Sequence, residues 1–532
     1  MSTAADYLHS VLYRAREPFE PVGFQPDWND RPRAEKYYPG VESFPLPTSG
    51  IEGTGSLQDS MIGTDEVDDR PFTVQALGSM LFDSYGQLSR RLAVHANKDF
   101  GALSRYDNAI WSRGTSSGGG LYPVSIYWVS GANGPMLPGV YHYSSRQHAV
   151  QRLLTGDVSG EVRAAVGDPE LTGHTDQYLV LGIKFWQNAF KYNSFSYHAV
   201  SMDIGTVVET WRVWARARGR HIKPVLWFDE TRVSDLLGID NIDEGVFAVV
   251  PLTWAGPPAP AQPDLHRQTQ PTVRITDEER SRRVIKFPIL QDLQAAISAS
   301  TNTRPAWDVV STAAQETGED GPRIALPAPH TLDIPVRKAV RARRSSFGRF
   351  SAEPPLAVDK LSTVLAGATA GAVFPCDVLP GDPADRLVTF YVFANHVDGV
   401  EPGSYEFEPA TNTLRQIHAG PPGEFLQRNY FLTNYSVDQA AAVVVPAVRY
   451  TAVLDTTGDR GYRLVNAIVG AVAQATYTTC AAVGIGCGVA LGFDNVSYME
   501  ELGIAGTDQS PLLIMMVGNE RSTPANFRYE LD

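Results

Sequence analysis

The sequence predicts an α+β protein in which two domains of the same plan follow each other and pack as an internal pseudo-dimer. Alternating apolar residues predict short strands, and longer apolar runs at helical spacing predict buried helices. The order of these elements repeats after about 265 residues, too long a period for a solenoid. The repeated pairs are Gly139–Tyr143 with Gly403–Phe407, Ala199–Arg218 with Leu464–Ala482, Phe228-Asp229 with Phe493-Asp494, and Gly245–Leu252 with Pro511–Gly518.

Composition divides the chain into four parts. Residues 1–60 are proline-rich, aromatic and weakly periodic, which predicts an N-terminal arm, and residues 61–254 form the first domain. Residues 255–332 open on a proline-rich run and predict a linker, with a short helix at Ile289–Ser298. Residues 333–532 form the second domain.

Length and composition are those of a soluble globular protein. The 532 residues are 43% hydrophobic and 20% charged, and the net charge of −14 argues against nucleic acid and anionic membranes as partners. Three cysteines make no disulfide framework, and no signal-peptide pattern opens the chain, so a cytoplasmic location is expected. The uncharged run between Arg463 and Asp494 has the length of a membrane span, but its polar residues and glycines favour a buried helix.

A glycine-rich loop, Arg113–Pro123, is the most unusual stretch of the first domain. It follows Gln75–Leu92, whose apolar spacing predicts a helix, and directly precedes the predicted strand Val124–Val129. Its two serines, free N–H groups and three successive glycines suit close contact with a flat polar ligand. Gly114–Gly118 also matches the sequence pattern of a hydrolase nucleophile elbow. That motif needs a strand before it and a helix after it, whereas here a predicted strand follows.

Other nucleotide and metal motifs are incomplete in this sequence. Gly484–Gly488 resembles a dinucleotide-binding loop, but it follows a helix, and Val489 stands where the third glycine is required. The sequence contains no Walker Gly-Lys-Ser/Thr run, no His-Glu-x-x-His pattern and no cysteine pair at zinc spacing. A metal site is therefore not expected.

Two further stretches carry side chains suited to chemistry. Arg343–Arg349 combines three guanidinium groups with two hydroxyls ahead of a helix, and arginine forks match the geometry of a phosphate. An exposed basic turn is the alternative interpretation. Lys191 and Tyr192 precede a long buried helix, and both can act as acid or base when partly buried, although a surface lysine is the ordinary interpretation.

Together these stretches resemble the SagB-type dehydrogenases, the FMN-dependent azoline oxidases of the nitroreductase superfamily. The resemblance runs through both halves and is carried by Ser116–Pro123, Gly139–Tyr143, Lys191-Tyr192 and Arg343–Ser345. It implies two tandem nitroreductase-like domains, each a central mixed sheet flanked by helices, with FMN between them. It also implies that the basic motif of one domain holds the flavin phosphate, that the serine-rich loop of the other covers the flavin, and that the Lys-Tyr pair takes part in catalysis.

The two halves keep different parts of such a site, which predicts one composite FMN site. The second domain has the Arg-Arg-Ser motif and Gly492, where the first has Asp68–Phe72 and the bulky Trp227. The first domain keeps the glycine-rich loop, which Leu379–Asp385 replaces in the second. The candidate residues are Lys191 and Tyr192 for catalysis, and Ser116, Ser117, Gly118, Arg343, Arg344, Ser345, Arg349, Leu491, Gly492 and Arg521 for FMN.

The tandem form is similar to the dehydrogenases of thiopeptide and related azole-peptide pathways. The implied reaction oxidises thiazolines or oxazolines of a peptide to thiazoles or oxazoles, with hydride transfer to FMN, proton removal by Lys191 or Tyr192, and reoxidation by dioxygen. The implied partners are an azoline-containing peptide and a cyclodehydratase complex. Two alternatives remain open: an NAD(P)H-dependent, nitroreductase-like oxidoreductase, and a flavin-free scaffold of a cyclodehydratase complex.

Overall fold

The computed structural model describes residues 2–49, 55–62, 68–92, 109–256, 271–300, 303–311, 313, 321–383, 386–521 and 527–531. Most of the proline-rich run of the predicted linker lies outside the described residues. The last two residues of the Leu379–Asp385 stretch lie outside them as well.

Helices alternate with strands along both halves, and side-chain caps begin several of them. Thr73 accepts the N–H of Ala76 at the start of one helix, and Asp494 accepts two N–H groups at the start of another. The helices are α1 (Thr3–Tyr13), α2 (Leu57–Met61), α3 (Val74–Tyr85), α4 (Ser159–Val166), α5 (Pro169–Thr172), α6 (Trp186–Tyr192), α7 (Ser196–Arg216), α8 (Glu230–Leu237), α9 (Pro288–Ala299), α10 (Trp307–Ser311), α11 (Val336–Ala342), α12 (Val358–Ala372), α13 (Gly423–Arg428), α14 (Tyr450–Thr457), α15 (Gly461–Val483) and α16 (Asn495–Glu501).

The strands are short, and most of those in the middle of a sheet are buried on both faces, because helices cover both faces of each sheet. They are β1 (Ser43–Pro45), β2 (Ser89–Leu92), β3 (Ala109–Ser112), β4 (Val124–Ser130), β5 (Gly139–Ser144), β6 (Ala149–Thr155), β7 (Gln177–Lys184), β8 (Glu244–Pro251), β9 (Arg323–Ala325), β10 (Val388–Ala394), β11 (Gly403–Glu408), β12 (Thr413–Ala419), β13 (Ala442–Arg449), β14 (Gly486–Ala490), β15 (Gln509–Pro511), β16 (Ile514–Gly518) and β17 (Phe527–Glu530).

The two large sheets share the order of six strands, which confirms the predicted α+β tandem. The first runs β1-β6-β5-β4-β7-β8 and the second runs β9-β12-β11-β10-β13-β16, with β14 added beyond β16 and β15 paired with β13. The register repeats as well. Trp128 stands opposite Tyr141, and Val392, at the same place in the second sheet, stands opposite Tyr405.

Helices α7 and α15 cross at the centre of the molecule. The two halves of the chain are related by a pseudo-two-fold axis at this crossing. A Cβ atom on Gly205 would lie 1.8 Å from the carbonyl oxygen of Ala467, and one on Gly470 would lie 2.0 Å from that of Met202. These two contacts exchange under the repeat, so the two backbones approach closely at both glycines. Helix α15 has the length and apolar character of a membrane span, but 94% of its most apolar window is buried inside the fold.

Several elements differ from the sequence-based expectation. The stretch predicted as one helix, Gln75–Leu92, ends its helix at Tyr85 and continues as strand β2, because Gly86 interrupts it and the following polar residues pair with β3. The arm contributes α1 to the core and β1 to the first sheet. The helix predicted at Ile289–Ser298 is α9, but it packs into the same core, and the segment 255–332 also contributes β9 to the second sheet.

Candidate functional site

The glycine-rich loop is fixed to helix α7 by one buried carboxylate. Ser117 Oγ donates to Asp203 Oδ2 at 2.7 Å, and the N–H of Gly118 donates to Oδ1 at 2.8 Å. Burial raises the pKa of Asp203 to about 7, although both hydrogen bonds oppose this shift. Ser117 Oγ also accepts the N–H of Tyr122 at 2.9 Å, so this hydroxyl holds the loop in its own conformation.

Ser116 joins the same loop to the second domain. Its N–H and its hydroxyl both donate to Gln474 Oε1 at 2.9 Å, and Gln474 lies on helix α15. The amide nitrogen of Gln474 donates in turn to the carbonyl oxygen of Gly114 at 3.2 Å. One glutamine of the second domain therefore holds the start of the loop of the first.

Arg343 strengthens this junction. Its Nε donates to the carbonyl oxygen of Gly114 at 2.9 Å, and its Nη2 donates to that of Arg113 at 3.0 Å. Its guanidinium carbon lies 5.2 Å from the ring centroid of Tyr477, whose hydroxyl is 2.8 Å from Ser345 Oγ. The structure thus places Arg343 against the loop, with two of its three nitrogens bound to backbone, and places Ser345 on the far end of the same tyrosine.

The other basic candidates form a cluster around Glu520. Arg344 is paired with Glu520, and Nη2 of Arg349 lies 3.9 Å from the same carboxylate. The N–H of Arg521 donates to the carbonyl oxygen of Arg349 at 2.7 Å, and its Nη2 donates to that of Gly348 at 3.5 Å, so a third guanidinium lies at this turn. Three arginine side chains and one glutamate give this cluster a net positive charge. In the described part of the chain, Arg349 Nε and Glu520 Oε1 are both buried without a hydrogen-bond partner, so it is the net positive charge of the cluster that suits an anionic oxygen.

Lys191 and Tyr192 lie directly against the glycine-rich loop at the end of α6. Lys191 Nζ lies 4.7 Å from the ring centroid of Tyr192. Gly119 has a φ of +64°, and a Cβ built on it would lie 2.1 Å from Tyr192 Oη and 2.8 Å from Lys191 Nζ. Burial raises the pKa of Tyr430 in the second domain, and the neighbouring Tyr192 raises it further. The structure therefore brings the loop and the pair together.

The turn after β14 presents free backbone donors. Leu491 and Gly492 are half-buried, and their N–H groups have no acceptor among the described residues. A Cβ on Gly492 would have only van der Waals neighbours, the nearest being Leu432 at 3.6 Å and Phe431 at 3.9 Å. Both neighbours are exposed large apolar side chains. The turn therefore offers two unpaired N–H groups beneath an apolar edge.

The corresponding turn of the first domain is closed by the protein itself. The N–H groups of Leu226 and Trp227 donate to the two oxygens of Asp377 at 2.8 and 3.0 Å. Arg304 Nε binds the same carboxylate at 3.0 Å, and Trp227 is only 2% exposed. Asp377 belongs to the stretch before β10, which is the counterpart of the glycine-rich loop. The carboxylate of Asp377 thus fills a place at the turn of the first domain. At the turn of the second domain, the glycines of the glycine-rich loop leave the equivalent place open.

The structure adds three residues that sequence reasoning missed: Asp203, Gln474 and Asp377. Asp203 and Gln474 are polar residues inside two long apolar helices, and this was the available signal, because a buried polar side chain needs a partner. Nothing in the sequence around Asp377 indicates that it binds backbone of the other domain.

The second half of the chain matches the model of the Nitroreductase family over residues 340–519. This part of the chain is a nitroreductase-family domain. A candidate nitroreductase of Methanocaldococcus jannaschii is 28% identical over 213 residues, which cover 38% of this chain and 98% of that protein.

Solved structures extend the fold to the whole chain. The crystal structure of a candidate nitroreductase from Anabaena variabilis has a TM-score of 0.69 at 21% identity and covers 98% of this chain and 100% of its own. It shows that the tandem nitroreductase fold is shared. A chain of the E. coli microcin synthetase McbBCD complex has a TM-score of 0.28 at 15% identity, over 47% of this chain and 91% of its own, and carries no inference.

Nitroreductase-family proteins typically bind FMN, and the residues present fit this group. The basic cluster has an unpaired buried donor and a net positive charge for a phosphate. The turn at Gly492 leaves two N–H groups free, and Gly119 and Gly120 leave the facing loop without side chains. The chemistry of these donors is therefore that of a site for a flat, polar, anionic ligand.

Proposed function

We propose that the chain is an FMN-dependent oxidoreductase that binds one FMN in the interdomain cleft and oxidises peptide azolines to azoles. One observation carries the composite site. The N–H groups of Leu491 and Gly492 have no acceptor in the described part of the chain, whereas Asp377 accepts the equivalent groups of Leu226 and Trp227. One of the two pseudo-symmetric turns is available to a ligand and the other is not.

Each domain contributes different parts to the proposed site. Arg344, Ser345, Arg349 and Arg521 of the second domain would hold the phosphate, and the free N–H groups at Gly492 would bind the edge of the ring system. The loop Ser116–Gly118 of the first domain would cover the ring. When bound, FMN supplies a two-electron acceptor that can take a hydride from carbon.

The chain's own residues must then manage a proton. An azoline becomes an azole when one ring carbon loses a hydride and its neighbour loses a proton, and dioxygen serves as the final electron acceptor. Lys191 Nζ and Tyr192 Oη are the titratable side-chain atoms that reach Gly119 of the covering loop. We assign to this pair the removal of the ring proton or the orientation of the ring. The partners would be an azoline-containing peptide and the cyclodehydratase that forms the azoline.

Mass spectrometry tests the reaction directly. A thiazoline-containing peptide incubated with the FMN-loaded protein in air should lose about 2 Da per ring, the mass of one hydride and one proton. Lys191→Ala should bind FMN normally but form azole at least about tenfold more slowly. Unchanged turnover by this variant would remove Lys191 from the mechanism.

The match to the Nitroreductase family model supports a second candidate, an NAD(P)H-dependent reductase that needs no peptide. Steady NADPH oxidation with a small electron acceptor, together with no mass change in the azoline peptide, would favour this candidate. A purified protein that takes up no FMN would instead favour a flavin-free scaffold for a cyclodehydratase.

A further inference from the structure

The N-terminal arm reaches the turn at Gly492 through one side chain, Arg14, at the end of α1. Its Nη2 donates to the carbonyl oxygen of Leu491, and also to that of Phe493 at 3.1 Å. Its Nη1 donates to Asn495 Oδ1 at 2.7 Å. Three donor contacts therefore fix this turn from the N-terminal arm.

The surroundings of Arg14 keep its charge close to the turn. Its guanidinium carbon lies 4.9 Å from the ring centroid of Phe195 in the first domain and 5.4 Å from that of Phe431 in the second. Burial lowers the pKa of Arg14 to about 10, while Asp494 opposes the shift, so the side chain stays protonated at neutral pH. A permanent cation thus lies between the segment after Tyr192 and the turn at Gly492.

The carbonyl that Arg14 binds belongs to the same peptide unit as the free N–H of Gly492. A cation that withdraws electron density from this oxygen makes the attached N–H a stronger donor, because hydrogen bonds in series polarise one another. The charge also favours any ligand that gains negative charge at this N–H. Arg14 binds the carbonyl oxygen of this peptide, so its effect passes through the Leu491–Gly492 peptide.

We propose that Arg14 is a positioning residue that raises the reduction potential of the flavin held at Gly492. This inference rests on the proposed function, since it assumes FMN at this turn. The corresponding turn of the first domain has a related contact, in which Arg460 Nε donates to the carbonyl oxygen of Leu226 at 2.5 Å. There Asp377 accepts the adjoining N–H of Trp227, whereas the N–H of Gly492 has no acceptor among the residues that the structure describes.

The midpoint potential of bound FMN, measured by spectroelectrochemistry, tests the proposal. Arg14→Ala and Arg14→Gln should lower the potential, by about 30 mV for each tenfold loss in the relative affinity for the reduced form. Arg14→Gln keeps an amide donor and is the variant of choice if Arg14→Ala unfolds. Arg14→Lys keeps the charge and should stay nearer to the wild type.

Arg16→Ala is the matched control. Arg16 lies just beyond the same helix and reaches Asp494 at 3.4 Å and Ser497 at 3.1 Å, but its contacts are exposed and none is to a carbonyl of the turn. Its loss should leave the potential unchanged. Equal potentials for the wild type, Arg14→Gln and Arg16→Ala, each with normal FMN content, would overturn the role of Arg14 alone. Failure of the wild type to bind FMN would overturn the proposed function and this inference with it.

Discussion

Gly119 and Gly120 have nearly the same backbone conformation but different surroundings. Their φ angles are +64° and +68°, yet a Cβ on Gly119 meets Tyr192 and Lys191, whereas one on Gly120 has nothing within 4 Å. Gly119→Ala should therefore displace the Lys-Tyr pair and slow azole formation at least about tenfold. Gly120→Ala carries the same backbone strain and should keep most of the activity. Similar kcat/KM values for the two variants would show that the pair does not depend on this contact.

Asp203 gives the loop a pH dependence. Its pKa rises from 3.8 to about 7 on folding, so the folded protein holds the proton more tightly than the unfolded chain. Its contribution to the free energy of unfolding must then fall as pH rises from about 4 to about 7. Asp203→Asn removes this titration, and the melting temperature of the wild type relative to the variant should fall across that range. Parallel melting curves against pH would contradict the assignment.

Residue types were predictable from the sequence at this scale, but pairings were not. The serines, the glycines and the Lys-Tyr pair are recognisable by type and spacing, and the structure places the pair against Gly119 of the loop. Asp203 lies more than eighty residues from Ser117, and Gln474 lies in the other domain. Contacts at such separations depend on how helices cross, which local sequence patterns do not encode.

The crossing of α7 and α15 is the element on which the interdomain cleft depends. Gly205→Ala would force a methyl group to within 1.8 Å of a backbone oxygen, so the two helices must separate. We expect a loss of about 1–3 kcal/mol in the free energy of unfolding, measured with urea. Gly160→Ala is the control, because this glycine of α4 has its nearest neighbour at 4.0 Å, and alanine there should be neutral or stabilising. Equal stability of the two variants would contradict the tight crossing.

Elements with a strong period were predicted well, and those decided by distant partners were not. Helix α15 was expected at Leu464–Ala482 and spans Gly461–Val483, because a long buried helix must be apolar on all faces. Strand β2 was missed, since its pairing with β3 and the C-terminal β17 has no local signal. Helix α9 was expected at Ile289–Ser298 and spans Pro288–Ala299, but its place in the core was not predicted, and neither was α1 in the arm.

The whole molecule is a pseudo-dimer whose two turns have diverged. The comparison of Trp227 with Gly492 predicted from sequence that one turn is blocked, because an indole cannot share the space of a flat ligand. The carboxylate of Asp377 could not be predicted, because it comes from the other domain and reaches the turn through the interdomain packing. The asymmetry of the fold is therefore partly visible in the sequence and completed by tertiary contacts.

The stoichiometry of FMN tests the central claim most directly. The protein is stripped of flavin, titrated with FMN, and the bound flavin per chain is measured by absorbance after gel filtration. The composite site predicts one FMN per chain, lost in a variant that combines Arg344→Ala with Arg349→Ala and retained in Asp377→Ala. Two tightly bound FMN molecules per chain, or none, would contradict the account.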